Sequence, residues 1–63
     1  MLRSVNVDEL EAGMTFSVSD KLFVVISSHF INDHRVAVNI MNLEDATIDE
    51  WWLRVGCVLW VDQ

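Results

Sequence analysis

A small, mainly β domain, folded as a partly open barrel of four to five antiparallel strands, is predicted by three observations. Lys21 to Ile31, KLFVVISSHFI, is a long run of β-branched and aromatic residues bracketed by the turn-formers Ser19-Asp20 and Asn32-Asp33. Period-two alternation recurs on either side of it. The chain has 63 residues, one cysteine and no proline, which is too short for a sandwich and offers no disulfide framework.

The elements follow in order. Leu2 to Val7 alternates loosely and suits a short edge strand. Asp8-x-x-Glu11 resembles a helix start, and Gly13 ends it after a single turn. Met14, Phe16 and Val18 share a face opposite Thr15 and Ser17, the mark of a half-buried strand. Ser19-Asp20 makes the hairpin into the long strand. There Leu22, Val24, Ile26, Ser28 and Phe30 fall on one face, and Phe23, Val25, Ser27, His29 and Ile31 on the other. Asn32-Asp33-His34 turns the chain into a third strand, Arg35 to Leu43.

Ala46 to Gly56 reads two ways. Thr47-x-x-Glu50 has the form of a capping box, and Ile48, Trp51, Trp52 and Val55 lie at helical spacing before Gly56. A strand would instead alternate Trp51 and Leu53 with Trp52 and Arg54. The periodicity favours a short helix or helical turn near 48–55. Cys57 to Val61 closes the chain as a strand, with Cys57, Leu59 and Val61 on one face. So few short strands are best accommodated by a strongly bent, SH3-like barrel, because curling limits exposed edges. Residues 1–63 form one domain in this reading.

Four Lys and Arg stand against ten Asp and Glu, a formal charge of -6. Phosphate backbones need clustered cations, so direct nucleic-acid binding is disfavoured and a basic protein partner fits the sign. No stretch approaches the roughly 20 apolar residues of a membrane span, and MLRS does not open a secretory signal. Together with the free cysteine, this points to the cytoplasm and to a complete small reading frame starting at Met1. The hydrophobic share of 52%, with three Trp, three Phe and three Met, exceeds what so small a core hides easily. Part of it is expected at a protein interface.

Leu10-Glu11-Ala12-Gly13-Met14-Thr15-Phe16, then Asp20-Lys21-Leu22-Phe23-Val24-Val25, then Val38-Asn39-Ile40-Met41-Asn42-Leu43 is similar in order and spacing to the KOW-like N-terminal domain of elongation factor P and its relatives. The resemblance covers residues 8–45 and implies an SH3-like fold. That family carries a glycine-rich loop with a modified lysine between its second and third strands. Here the loop is Asn32-Asp33-His34-Arg35, without lysine, so the resemblance does not extend to a translation-factor activity.

Candidate sites are few. His29, His34 and Asp33 do not close a three-ligand set on a hairpin, so no metal or cofactor is expected. Cys57 in an apolar strand reads as buried and inert. Glu44, Asp45, Asp49 and Glu50 form the densest acidic cluster, either a solvated turn or a contact surface for basic side chains that could include Asp33 and Asp62. Trp51, Trp52 and Trp60 are the most informative residues. Adjacent tryptophans on a strand cannot both enter one small core, and an exposed Trp is the side chain most enriched at binding hot spots. The expected partner-binding set is therefore Trp51, Trp52, Trp60, Glu44, Asp45, Asp49 and Glu50.

These residues predict a small acidic, non-enzymatic interaction protein, such as a bacterial or phage accessory inhibitor or modulator of a basic or nucleic-acid-binding protein. One alternative is a structural homo-oligomer joined through strand edges and surplus apolar surface. Another is a KOW-like nucleic-acid-binding module, which the charge opposes.

Overall fold

The computed structural model describes residues 2–62. It contains six strands: β1 (Leu2–Asn6), β2 (Thr15–Val18), β3 (Lys21–Phe30), β4 (Arg35–Asn42), β5 (Ile48–Arg54) and β6 (Val58–Asp62). The only helical element among the described residues is a 3-10 turn, Val7–Glu9. The strands form one sheet in the order β1-β6-β2-β3-β4-β5, and every ladder is antiparallel. The mainly β class holds. The strand count rises from the expected four or five to six, and the sheet is not closed: β1 and β5 are its free edges.

The expected helix near 48–55 is corrected to strand β5. The capping box does not form, because the Thr47 hydroxyl donates to Asp45 Oδ1 at 2.7 Å and the Glu50 carboxylate accepts from Trp52 Nε1 at 3.0 Å. The stronger cause lies in β4. Val36, Ala37 and Val38 are all at most 2% exposed. A β4 covered on both faces cannot leave its backbone groups unpaired, and β5 satisfies them along seven residues from Arg35↔Arg54 to Met41↔Ile48. Tertiary pairing overrides the helical spacing.

The turns explain how so short a chain folds back repeatedly. Ser19 and Asp20 sit at φ 51 and 65, the left-handed pair that a two-residue hairpin matching strand twist requires. Asn32 Oδ1 accepts from the backbone N–H groups of His34 and Arg35 at 2.7 and 3.0 Å, tying the β3–β4 turn. Gly56, at φ 101, turns β5 into β6.

The inner face carries the core: Val5, Val7, Leu10, Phe16, Phe23, Val25, Val36, Val38, Ile40 and Val61, with Met14, Val18, Trp51, Leu53, Val55 and Leu59 packed against it. Ser28 Oγ donates to the Leu10 carbonyl at 2.9 Å and ties the segment after the 3-10 turn to β3. The expected strict alternation along β3 is corrected by a bulge. The register shifts between Val25 and Ser27, so Ile26 becomes the extra residue. Beyond it Ser28, rather than Ser27, pairs with the inward Val38. Cys57 is also corrected: it lies before β6 and is exposed, not buried in an apolar face.

Candidate functional site

Register assigns each tryptophan a different environment. Trp51 lies opposite Val38, which is fully buried, and therefore points inward. Its ring meets Phe23 at 5.0 Å and Phe16 at 5.9 Å, both edge-on, while the two phenyl rings stack at 5.6 Å. Trp52 points outward and is 65% exposed. It lies opposite Ala37, which is 1% exposed, so one part of the indole covers β4 while the rest faces solvent. The Nε1 bond to Glu50 fixes the ring along the strand.

Trp60 is 58% exposed on the same outward side, beside Leu2 and Val58. It stands on β6, four strand steps from β5, or about 19 Å along the sheet at the usual strand spacing. The predicted tryptophan group is thus divided into a core ring, an exposed ring at one edge and another exposed ring near the opposite edge.

The acids divide as well. Glu50 lies opposite Asn39 on the outward side, and Asp49 lies opposite the buried Ile40 on the inward side. Glu44 and Asp45 occupy the β4–β5 turn. That turn is locked by polar contacts: Asn42 Oδ1 accepts from Glu44 N–H at 2.8 Å, and Asp45 Oδ1 accepts from the Thr47 amide and hydroxyl. The Thr47 hydroxyl, then its amide, holds the Asp45 carboxyl below the usual carboxylate range, with Lys21 contributing weakly. Ala46 carries the strain of the turn at φ 60.

These placements create a cleft that the linear sequence does not display. Lys21, Phe23, Ile40, Asn42, Asp45, Thr47, Asp49 and Trp51 line a cavity of about 290 Å³ at one end of the inner face. Its floor is aromatic and its rim holds two carboxylates against one ammonium. Such a lining suits a guanidinium or ammonium group: the carboxylates supply charge and the Trp51 ring supplies a π face. A larger depression of about 380 Å³ between β1 and the 3-10 segment is lined by Arg3, Ser4, Asn6, Glu9 and Glu11 with Val5, Met14 and Val58, and contains no aromatic group.

The cleft brings together Trp51, Asp45 and Asp49 from the predicted set; Glu50 and Trp52 lie on the reverse side of the same strand, and Trp60 lies apart. Lys21, Phe23, Thr47 and the outward Ile48, 69% exposed, were missed by sequence reasoning. The signal for Ile48 is strand parity, which is hidden while residues 48–55 are read as a helix; Lys21 and Phe23 reach the cleft through the pairing of β3 with β2 and β4, which no local signal displays. Among the described residues, no three His, Cys, Asp or Glu side chains gather as a metal site. No described helix is long and apolar enough to cross a membrane. No protein-family model matches the chain, and no curated protein matches it significantly.

Proposed function

We propose that this chain is a non-enzymatic, acidic interaction module that binds a basic protein through β5 and the adjoining turn. An arginine or lysine of the partner enters the cleft over Trp51, between Asp45 and Asp49. Ile48, 69% exposed, supplies a second contact on the outer side of the strand. The order of the antiparallel strands supports an SH3-like open barrel as the carrier of this site. Inhibition or modulation of a nucleic-acid-binding protein suits the charge, because such a partner presents clustered cations. An exposed free thiol at Cys57 suits a reducing cytoplasm.

The observation that carries the reading is the pairing of an aromatic floor with an acidic rim in one cleft. The four cations do not make a matching basic surface: Arg35 and Arg54 are opposite one another on the outward side, while Arg3 and Lys21 pair with the inward Val61 and Val18. The test is capture of partners on immobilised chain, eluted by a salt gradient, beside the Asp45→Asn/Asp49→Asn variant. A basic protein retained by the natural chain and lost by the variant is expected. Equal retention by both would remove the cleft from the account.

A further inference from the structure

The open edge of β5 carries a pattern that selects one partner geometry. Asn42 N–H donates to the Thr47 carbonyl at 2.8 Å, and Val55 N–H donates to the His34 carbonyl at 2.9 Å. These bonds bracket the β4–β5 ladder and set its alternation. The backbone groups of residues 47, 49, 51, 53 and 55 therefore turn toward β4. Those of Ile48, Glu50, Trp52 and Arg54 turn toward the open edge.

We propose that β5 pairs antiparallel with β5 of a second copy, with the twofold axis at Trp52. This goes beyond the proposed basic partner, because it concerns the strand edge and not the cleft. In this register Trp52 meets Trp52 on the outer face, Trp51 meets Leu53 on the inner face, and Glu50 meets Arg54 on both sides of the axis. Glu50, Trp52 and Arg54 each donate and accept one backbone bond. The Glu50 N–H now donates to Asp49 Oδ1 at 2.8 Å, and on pairing this donor passes to the Arg54 carbonyl of the second copy.

Charge complementarity fixes the register. Within one chain Arg54 stands opposite Arg35, an unfavourable like-charge pair. A second copy centred on Trp52 offers Arg54 the missing carboxylate. Centring on Glu50 would set Glu50 against itself. Centring on Trp51 would set Glu50 against Trp52 and Ile48 against Arg54, with no ion pair. Centring on Leu53 would leave Glu50 opposite Gly56. The other edge, β1, has only the uncharged Leu2, Ser4 and Asn6 turned outward by the same alternation, since the Val7 N–H donates to the Cys57 carbonyl. It offers no comparable selection.

The test is sedimentation of the natural chain, Glu50→Arg, Arg54→Glu and the double exchange over a micromolar concentration series, with circular dichroism to verify folding. The natural chain is expected at twice 7.3 kDa. Each single reversal opposes like charges at both symmetry-related positions and should weaken the dimer about tenfold or more; the double exchange should restore it. Amide exchange on the natural chain gives a readout that needs no variant: Glu50, Trp52 and Arg54 amides should gain protection as concentration rises. A monomer throughout overturns the proposal. So does a dimer indifferent to the single reversals, or one lacking concentration-dependent protection at these amides. Asp45→Asn should leave dimerisation unchanged, which separates this result from loss of the cleft.

Discussion

Adjacent tryptophans with opposite orientations allow core and surface roles to be separated by the same chemical change. Trp51→Ala removes an indole that buries on the order of 150 Å² against Phe16, Phe23 and Val38. At about 25 cal/mol per Å² this is worth about 4 kcal/mol, in line with the usual cost of truncating a core aromatic. Trp52→Ala removes a ring that is 65% exposed and uncovers Ala37, a cost of about 1–1.5 kcal/mol on the same scale. A domain of this size has a total stability of about 3–9 kcal/mol, so the first change brings it close to unfolding and the second does not. Thermal melts followed by far-ultraviolet circular dichroism, at a concentration where the chain sediments as a monomer, should show Trp51→Ala lowered by about 15 °C or more and Trp52→Ala by less than about 10 °C. Near-ultraviolet ellipticity should collapse mainly in the Trp51 variant. Equal losses, or a larger loss for Trp52, would refute the assignment of Trp51 to the core and of residues 48–54 to a strand.

Three further outcomes follow from the turns. Ala46→Gly relieves a left-handed backbone conformation without removing a side-chain contact the turn needs, and should raise stability by about 0.5–1 kcal/mol in urea titration; a loss would show that the methyl group packs. Asp45 has a lowered pKa when folded, so its contribution is fully present above the unfolded carboxylate value, about 3.9, and is lost as pH falls through the folded value. The stability difference between the natural chain and Asp45→Asn should therefore be constant near neutrality and shrink in acid; a pH-independent difference would exclude the Thr47 latch. Cys57 should react with a thiol reagent in the folded protein nearly as fast as in denaturant, and strong protection would contradict its exposure.

Much of the strand framework was readable because local and tertiary preferences agree. Met14 to Val18 alternates, Ser19-Asp20 tolerates left-handed backbone, and the long β3 run has few helical alternatives. Residues 48–55 are ambiguous in sequence because their apolar residues satisfy two periods at once. Only the need to pair the doubly buried β4 decides between them, and that requirement lies outside the segment. The β3 bulge is silent in sequence because Ile26 is as good a strand former as its neighbours. For the candidate site, composition identified the Trp and acidic residues and their adjacency implied that one ring must be exposed. Which ring, and which acids share a cleft with it, depends on parity about β4; no property of Asp49 or Glu50 alone tells them apart.

The central claim, that the cleft beside Trp51 receives a basic side chain, is tested most directly by nuclear magnetic resonance titration with a short arginine-containing peptide. A control peptide carries citrulline in place of arginine. The account predicts shifts confined to the Trp51 indole, the Asp45–Thr47 amides and Asp49, weakened by salt and absent with citrulline or with Asp45→Asn/Asp49→Asn. Shifts that are absent at millimolar peptide, or that fall on Trp60 and β1 instead, would contradict it.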